Sequence, residues 1–394
     1  MATRVATLVQ SIDDLLGEAD QAHRANSMRS HLAAVAKLQE AAAVADLIGC
    51  AEGGFFRVEA GALLTNSLFF LCDMAAAARA ACSTLRAARA SGSPSALVKA
   101  LCACGTMAKH APGEMAGAER ESREQERIGG SPHHGIQDLS QEGRISLPTT
   151  PAALSRLGIA YHEAAVATCD AAIAAVRGGS AAADELYTPS LRMQAEARGG
   201  LGASLIVLAG EQKRGFELLR KAVSELRQVV QTAAPGFEAV EAKRALATKL
   251  SNMGSMLHSY GSDGMAAVAC LHEALELSEA TADAQTTQAV LSNLVNVSGE
   301  RGQTVEAEAL RSRLNQLYAQ TGRNPETSCT ICLEDLAPLA QPGDEEVDRT
   351  SDSSVRVLRC AHQFHHGCLE TWWRTRSDMA CPLCKASSRA AVVG

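Results

Sequence analysis

One stretch near the C-terminal end, residues 329–384, limits most strongly what this chain can fold into. It holds cysteines and histidines in short, paired spacings, and eight of them are candidate metal ligands: Cys329, Cys332, Cys360, His362, His365, Cys368, Cys381 and Cys384. Zinc prefers four thiolate or imidazole ligands in a tetrahedron, and Cys-x-x-Cys lets one turn present two thiolates to one ion. Eight ligands in fewer than sixty residues therefore predict two zinc sites.

Apolar burial alone cannot hold so short a segment together, so metal binding must supply most of its folding free energy, about 10 kcal/mol per structural zinc. Around the ligands, Phe364 is predicted to fill the small core. The alternating residues Val355–Leu358 predict a strand, and Leu369–Arg374 predict a helix. The long gap Leu333–Arg359 contains an acidic tract, which indicates an exposed loop.

The ligand order Cys-x2-Cys, Cys-x-His-x2-His-x2-Cys, Cys-x2-Cys resembles the RING finger, in its subclass with two central histidines. The resemblance covers residues 329–385 and implies two interleaved, structural zinc ions. One zinc would be held by Cys329, Cys332, His365 and Cys368, and the other by Cys360, His362, Cys381 and Cys384. His366 competes with its neighbour His365, but only His365 keeps two residues between itself and Cys368.

RING fingers that act as ubiquitin ligases bind a ubiquitin-conjugating enzyme through three apolar positions, and a basic residue often follows the last cysteine. The matching residues here are Ile331, Trp372, Pro382 and Lys385. Arginine would offer a planar fork of donors at the last position, so lysine is the weaker choice. Trp373 competes with Trp372 for the outward role. Because helix neighbours point in different directions, one can pack while the other faces out, and we expect Trp372 outward.

The resemblance implies a RING-type ubiquitin ligase, a transferase that orients a charged conjugating enzyme without a covalent ubiquitin intermediate of its own. No catalytic residue is expected, and the implied partners are the conjugating enzyme, ubiquitin and a protein substrate. A plant homeodomain finger is disfavoured, since it uses a single histidine and usually has an aromatic residue where Met379 stands. The alternative function is a non-catalytic, zinc-stabilised helical scaffold or adaptor.

Upstream of the zinc module, which we define as residues 324–389, the sequence predicts helices. Hydrophobic residues make up 46% of the chain but aromatic residues only 3%, and the alanine-rich remainder favours closely packed helices over sheets. We predict a mainly α fold whose helical array precedes a small two-zinc domain. The predicted regions are an N-terminal helical region (1–110), a disordered linker (111–150), helical repeats (151–323), the zinc module and a tail (390–394).

The helical region before the zinc module contains an internal repeat. Leu250-Ser-Asn-Met253 recurs as Leu291-Ser-Asn-Leu294, and Gly261 and Gly302 follow at the same offset, which gives a period of 41 residues. A helix, a short glycine turn and an alanine-bearing helix resemble the tetratricopeptide repeat, which implies a concave surface for a bound substrate. Because the spacings vary and the usual terminal proline is missing, an irregular helical bundle is the alternative.

Charge and hydropathy indicate which partners and which cellular location to expect. The formal net charge is −7 and no run of five basic residues occurs, so nucleic-acid binding has no electrostatic support. The first twenty residues do not resemble a signal peptide, and the most apolar window, Leu63–Ala78, is interrupted by Asn66 and Asp73. Seven cysteines outside the zinc module are predicted to be buried free thiols. We therefore expect a cytoplasmic or nuclear protein without membrane contact.

Overall fold

A computed structural model describes the chain in several ranges. These are residues 2–24, 28–48, 51–71, 73–128, 156–178, 189–261, 263–321, 329–332, 334, 336, 355–358, 362–376 and 380–382. They divide into two compact units, of which the first contains most of residues 1–234 and the second most of residues 235–393. The predicted mainly α fold with a small C-terminal zinc module is confirmed.

The first unit is helical throughout its described residues. Its helices are α1 (Ala2–Arg24), α2 (Met28–Ile48), α3 (Ala51–Phe70), α4 (Met74–Ser91), α5 (Pro94–His110), α6 (Pro112–Ile128), α7 (Leu157–Arg177), α8 (Leu191–Ile206) and α9 (Gln212–Thr232). Small residues let these helices approach closely. A Cβ atom at Gly105 or Gly200 would lie only 2.7 or 2.6 Å from the buried ring of His162 on α7. These glycines therefore make room for the imidazole.

The predicted linker 111–150 is wrong over its first part, because α6 occupies Pro112–Ile128. Helix α6 is rich in charged residues, but one side of it is buried and includes Met115 and Ala116. Glu119 is also buried, but its carboxylate pairs with Arg123 at 3.0 Å, and the Cys82 thiol lies 3.6 Å from it. A paired carboxylate can be buried at a helix–helix contact, so charge content alone does not indicate disorder. Residues 129–155 lie outside the described ranges.

The second unit contains two helix pairs. These are α10 (Phe237–Tyr260) with α11 (Gly264–Ala280), and α12 (Ala284–Glu300) with α13 (Thr304–Gln320). Asp263 and Asp283 cap α11 and α12, since each carboxylate accepts a hydrogen bond from a backbone N–H in the first turn. Connections of three residues between the helices are typical of antiparallel helix hairpins. The helical array is thus described as pairs, and its tetratricopeptide-like character stays a prediction.

The small residues of the repeat explain how each pair packs. A Cβ atom at Gly254 on α10 would lie 2.6 Å from Leu271 Cγ and 2.9 Å from the Ala267 carbonyl oxygen on α11. The apolar residues that recur at helical spacing on the second helices are buried: Ala267, Leu271, Ala274, Leu275, Ala307, Leu310 and Leu314. The repeated Ser-Asn dipeptide also has a physical role, because Asn293 Nδ2 donates to Ser251 Oγ at 3.3 Å. This bond joins the first helices of the two pairs.

The zinc module contains a two-stranded antiparallel sheet and one helix among its described residues. Strand β1 (Val355–Val357) pairs with β2 (Gln363–His365), with Val355 opposite His365 and Val357 opposite Gln363. Helix α14 (His366–Arg376) follows β2 directly. The predicted strand is confirmed except for Leu358, and the predicted helix begins three residues earlier than expected. This early start brings Cys368 into the first turn of α14.

The helix that best fits the length and composition of a membrane span is α7, and not the window Leu63–Ala78 noted above as most apolar. Within the described ranges it is the one helix that is long and apolar enough to cross a membrane by length and composition. Core helices of globular proteins pass the same test, and α7 packs Leu157, Tyr161 and Ala165 into the hydrophobic core of the first unit. The stretch Leu63–Ala78 that the sequence singled out is instead divided between α3 and α4.

Candidate metal centre

Four side chains of the zinc module converge on one point. The ligand atoms of Cys329, Cys332, His365 and Cys368 all lie within 4.8 Å of one another. Ligands at the corners of a zinc tetrahedron with bonds of about 2.3 Å would lie roughly 3.8 Å apart. The set of three sulfurs and one imidazole therefore fits a closed, structural zinc site, and zinc bound here would hold two chain segments together.

Local structure explains why these four side chains meet. Cys329 and Cys332 share one turn, in which the Cys329 N–H donates to the Glu334 carbonyl oxygen at 2.8 Å. His365 is the last residue of β2, and Cys368 follows one turn later in α14. The strand-to-helix transition thus presents the imidazole and the third thiol together. His366, the competing histidine, is the first residue of the helix and is not part of the cluster.

The electrostatics of the cluster favour a bound cation. Burial on its own would raise the pKa of the Cys329 thiol, but backbone hydrogen bonds from Cys332, His365 and Ile331 outweigh it and lower this pKa. Burial, a hydrogen bond to Cys332 and the nearby Cys329 sulfur raise the pKa of Cys368 to about 12. Three neighbouring thiols cannot all ionise without a compensating positive charge, which a divalent metal supplies.

The second predicted site is described only in part. His362 Nδ1 lies 3.5 Å from Cys381 Sγ, and the Cys381 side chain is fully buried. The other two predicted ligands, Cys360 and Cys384, lie outside the described residues. The structure thus brings together one thiol and one imidazole of the second predicted ligand set, with His362 just before β2 and Cys381 beyond α14.

A small apolar core supports the ligands. Phe364 is fully buried, as predicted, and it packs with Leu336, Leu358, Leu369 and Trp373. Trp373 is 8% exposed, and its indole N–H donates to the Ala380 carbonyl oxygen at 3.1 Å. Trp373 therefore packs inside and joins α14 to the segment that carries Cys381.

The residues predicted to bind a conjugating enzyme differ from this core in their exposure. Ile331, Trp372 and Pro382 are each half-buried, so part of each side chain reaches solvent. Ile331 and Trp372 also pack against the apolar core, which fixes their positions. Lys385 lies outside the described residues. These three residues are thus partly exposed, and their role stays a prediction.

Comparison with known families identifies the module. Residues 327–385 match the RING-H2 zinc finger domain. The observed cluster and the His362–Cys381 contact both lie within this matched segment. The match covers the zinc module and not the helices before it.

Curated proteins with related sequences include ubiquitin ligases. The chain is 38% identical over 69 residues to the probable E3 ubiquitin-protein ligase RHA1A of Arabidopsis thaliana, which is 17% of this chain and 35% of that protein. It is 31% identical over 114 residues to the mouse E3 ubiquitin-protein ligase ZNRF4, which is 28% of this chain and 30% of that protein. The chain thus spans about a third of the length of these relatives, and most of the chain lies outside the matches.

The structure also shows contacts that sequence reasoning missed. The RING-H2 module contacts α12 and α13 through side chains of Asn296, Arg311 and Asn315, which we call the polar clamp. None of these residues was a candidate from the sequence. Their partners lie 25 to 61 residues away along the chain, and no spacing rule links an amide on a helix to a distant strand.

Proposed function

We propose that this chain is a RING-type ubiquitin ligase. The observation that carries the proposal is the convergence of Cys329, Cys332, His365 and Cys368 in a segment that matches the RING-H2 zinc finger. Relatives that share this segment are named E3 ubiquitin-protein ligases. Two structural zinc ions are proposed, the second held by Cys360, His362, Cys381 and Cys384.

The proposed mechanism needs no nucleophile on this chain. Ile331, Trp372 and Pro382 would contact the conjugating enzyme, and Lys385 would add a basic contact to that enzyme and to ubiquitin. Holding a charged thioester in a reactive geometry raises the rate by orientation and effective concentration. The zinc ions act only through the positions of the loops that they hold, since each would have four protein ligands and no open coordination site.

The helical array is proposed to hold the protein substrate. Its support is the stacking of α10 with α12 through Ser251 and Asn293, because stacked helix pairs of the tetratricopeptide type form extended concave surfaces. A zinc module of this size has little surface left for a substrate once a conjugating enzyme is bound. Binding at the array would raise the local concentration of target lysines near the module.

A cytoplasmic or nuclear location, without membrane contact, is proposed on the state of the thiols. Cys82, Cys104 and Cys169 are buried and free, as expected in a reducing compartment. Burial raises the pKa of Cys169 to about 12, which keeps this thiol protonated and unreactive. Fractionation of cells that express the tagged chain tests the location, and recovery in the membrane fraction would contradict it.

Reconstitution tests the ligase activity. The zinc-loaded chain is incubated with activating enzyme, a panel of conjugating enzymes, ubiquitin and ATP, and unanchored ubiquitin chains are measured. Free chains are the better product to follow, because the sequence contains no lysine between Lys249 and Lys385 that self-modification could use. Ubiquitin chains that require the zinc-loaded protein support the ligase. Their absence with every conjugating enzyme would favour the non-catalytic scaffold.

A further inference from the structure

We propose that the zinc module is a metal-dependent cap on the helical array of the second unit. In this arrangement zinc binding stabilises α12 and α13 as well as the module itself. The inference goes beyond ubiquitin transfer, because it concerns the coupling between metal and helices. It rests on the contacts of the polar clamp.

The first contact joins α12 to the outer edge of the small sheet. Asn296 Nδ2 donates to the Val357 carbonyl oxygen at 3.1 Å, and the Val357 N–H donates to Asn296 Oδ1 at 3.0 Å. Val357 lies opposite Gln363 in the sheet, yet both of its backbone groups bond to Asn296 rather than to β2. The amide side chain therefore takes the place of a neighbouring strand. It satisfies an edge that would otherwise need water or another chain.

Two contacts join α13 to the module. Arg311 Nη1 donates to the Leu336 carbonyl oxygen at 2.9 Å. The Glu308 carboxylate accepts from Nε and Nη2 of the same guanidinium at 3.0 and 3.1 Å. Gln363 Nε2 donates to Asn315 Oδ1 at 3.0 Å, and the Gln363 residue is only 1% exposed. A buried amide without a partner is costly, so Gln363 favours the docked arrangement of module and helix.

Each module atom that the polar clamp holds lies close to a zinc ligand in the sequence. Leu336 follows Cys332 by four residues, Val357 precedes Cys360 by three, and Gln363 stands between His362 and His365. Metal binding fixes the backbone at these points, and the helices contact the same points. Removing the metal would free the contacted groups and weaken their bonds to α12 and α13.

The position of the module in the array explains why a cap is needed. Helix α12 contacts α10 of the preceding pair and also contacts β1 of the module. Stacked helix repeats are each stabilised by their neighbours, and a terminal repeat needs a cap over its last packing face. After α13 the described chain continues into the module without another helix pair. The module therefore supplies the terminal contact that the array needs.

Hydrogen exchange on the full chain, with and without a zinc chelator, tests the coupling. We expect backbone amides of residues 284–320 to lose protection on zinc removal, while those of residues 74–110 in the first unit keep theirs. Unchanged protection of residues 284–320 in the metal-free chain would overturn the proposal. No readout in this experiment uses ubiquitin, so its failure is separate from failure of the proposed ligase activity.

Variants then separate the polar clamp from general destabilisation. Asn296→Ala removes two hydrogen bonds, so the zinc-loaded variant should exchange about tenfold faster in residues 284–320. Chelation should then change the exchange of these residues less than in the parent chain. Asn315→Ala is a second clamp variant, and Gln316→Ala is the matched control, because Gln316 is the exposed neighbour on the same helix.

The comparison of these variants includes a result that would contradict the proposed cap. Protection of residues 74–110 and the helical circular dichroism signal serve as the folding check for each variant. If Asn296→Ala and Asn315→Ala exchange like Gln316→Ala, or respond to the chelator as strongly as the parent chain, the zinc module is not a cap on these helices.

Discussion

The Cys332 sulfur lies 3.3 Å from His365 Nδ1, although 33 residues separate the two along the chain. This short distance joins the first Cys-x-x-Cys turn to the end of β2. The long gap of the module lies between these two residues in the sequence, and its acidic tract is outside the described residues. The zinc-dependent predictions follow from this relationship.

The metal content is the first prediction. Native mass spectrometry should find two zinc ions on the intact chain, and Cys329→Ser or Cys381→Ser should reduce that number. The reason is that a serine hydroxyl does not replace a thiolate as a zinc ligand at neutral pH. Serine at Cys82, a buried thiol outside the module, is the control and should keep both ions. A parent chain with one zinc or none contradicts the paired sites.

A second prediction separates the surface of the module from its core. Ile331→Ala and Trp372→Ala should abolish ubiquitin transfer and keep both zinc ions, because these half-buried side chains are proposed to contact the conjugating enzyme. Trp373→Ala should instead destabilise the module by about 3–5 kcal/mol, since it removes a buried aromatic ring. Transfer assays and metal analysis on the same preparations distinguish the two classes. Loss of zinc from Trp372→Ala would place that residue in the core.

The close approach of α10 and α11 gives a third prediction. Gly254→Ala should destabilise the second unit by about 1–3 kcal/mol, because the new methyl group would lie 2.9 Å from the Ala267 carbonyl oxygen. Gly117→Ala in α6 is the control, since nothing lies within 4 Å of its Cβ position. That change should be neutral or stabilising, because alanine is the better helix former. Urea unfolding measures both, and equal effects would contradict the packing.

The buried carboxylate of α6 gives a fourth prediction. Glu119→Ala should destabilise the first unit by about 3 kcal/mol, because the change removes a buried carboxylate that pairs with Arg123 and accepts from the Cys82 thiol. Glu121→Ala, an exposed change on the same helix, should stay within about 0.5 kcal/mol of the parent. Urea unfolding followed by hydrogen exchange in residues 74–128 measures the difference. Similar values for both variants would mean that Glu119 is accessible to solvent.

The fifth prediction compares two fragments that contain the zinc module with and without the helices before it. A fragment of residues 235–394 contains the polar clamp and both ligand sets, so it should fold with two zinc ions and form ubiquitin chains. A fragment of residues 324–394 lacks α10–α13 and leaves Gln363 and Val357 without their helical partners. Its melting temperature in zinc buffer should therefore be lower. Equal melting temperatures would show that the helices add nothing to the module.

Sequence reasoning succeeded where chemistry and local spacing determine the structure. The Cys-x-x-Cys turn, the histidine at the end of β2 and the buried Phe364 all follow from short-range patterns. The small inward residues of α11 and α13, such as Ala267 and Ala307, also follow from helical periodicity.

The parts that sequence reasoning missed depend on tertiary context. Glu119 reads as a solvated charge until the structure places Arg123 and Cys82 beside it. From the sequence alone, Asn296 is one polar residue of a repeat. Its partner Val357 belongs to a segment predicted as a separate domain. In both cases a polar side chain has its main role in a contact that periodicity does not encode.

The separation between Asn296 and Val357 has a consequence for synthesis of the chain. A ribosome that adds roughly 5–20 residues per second needs about 3–12 seconds to translate the 61 residues between them. During that interval α12 has been synthesised, but the strand that it binds does not yet exist. Helices α12 and α13 therefore lack their contacts with the zinc module until that module has been made and has bound metal. If the proposed coupling holds, a molecule made under zinc shortage would have this helix pair incompletely packed.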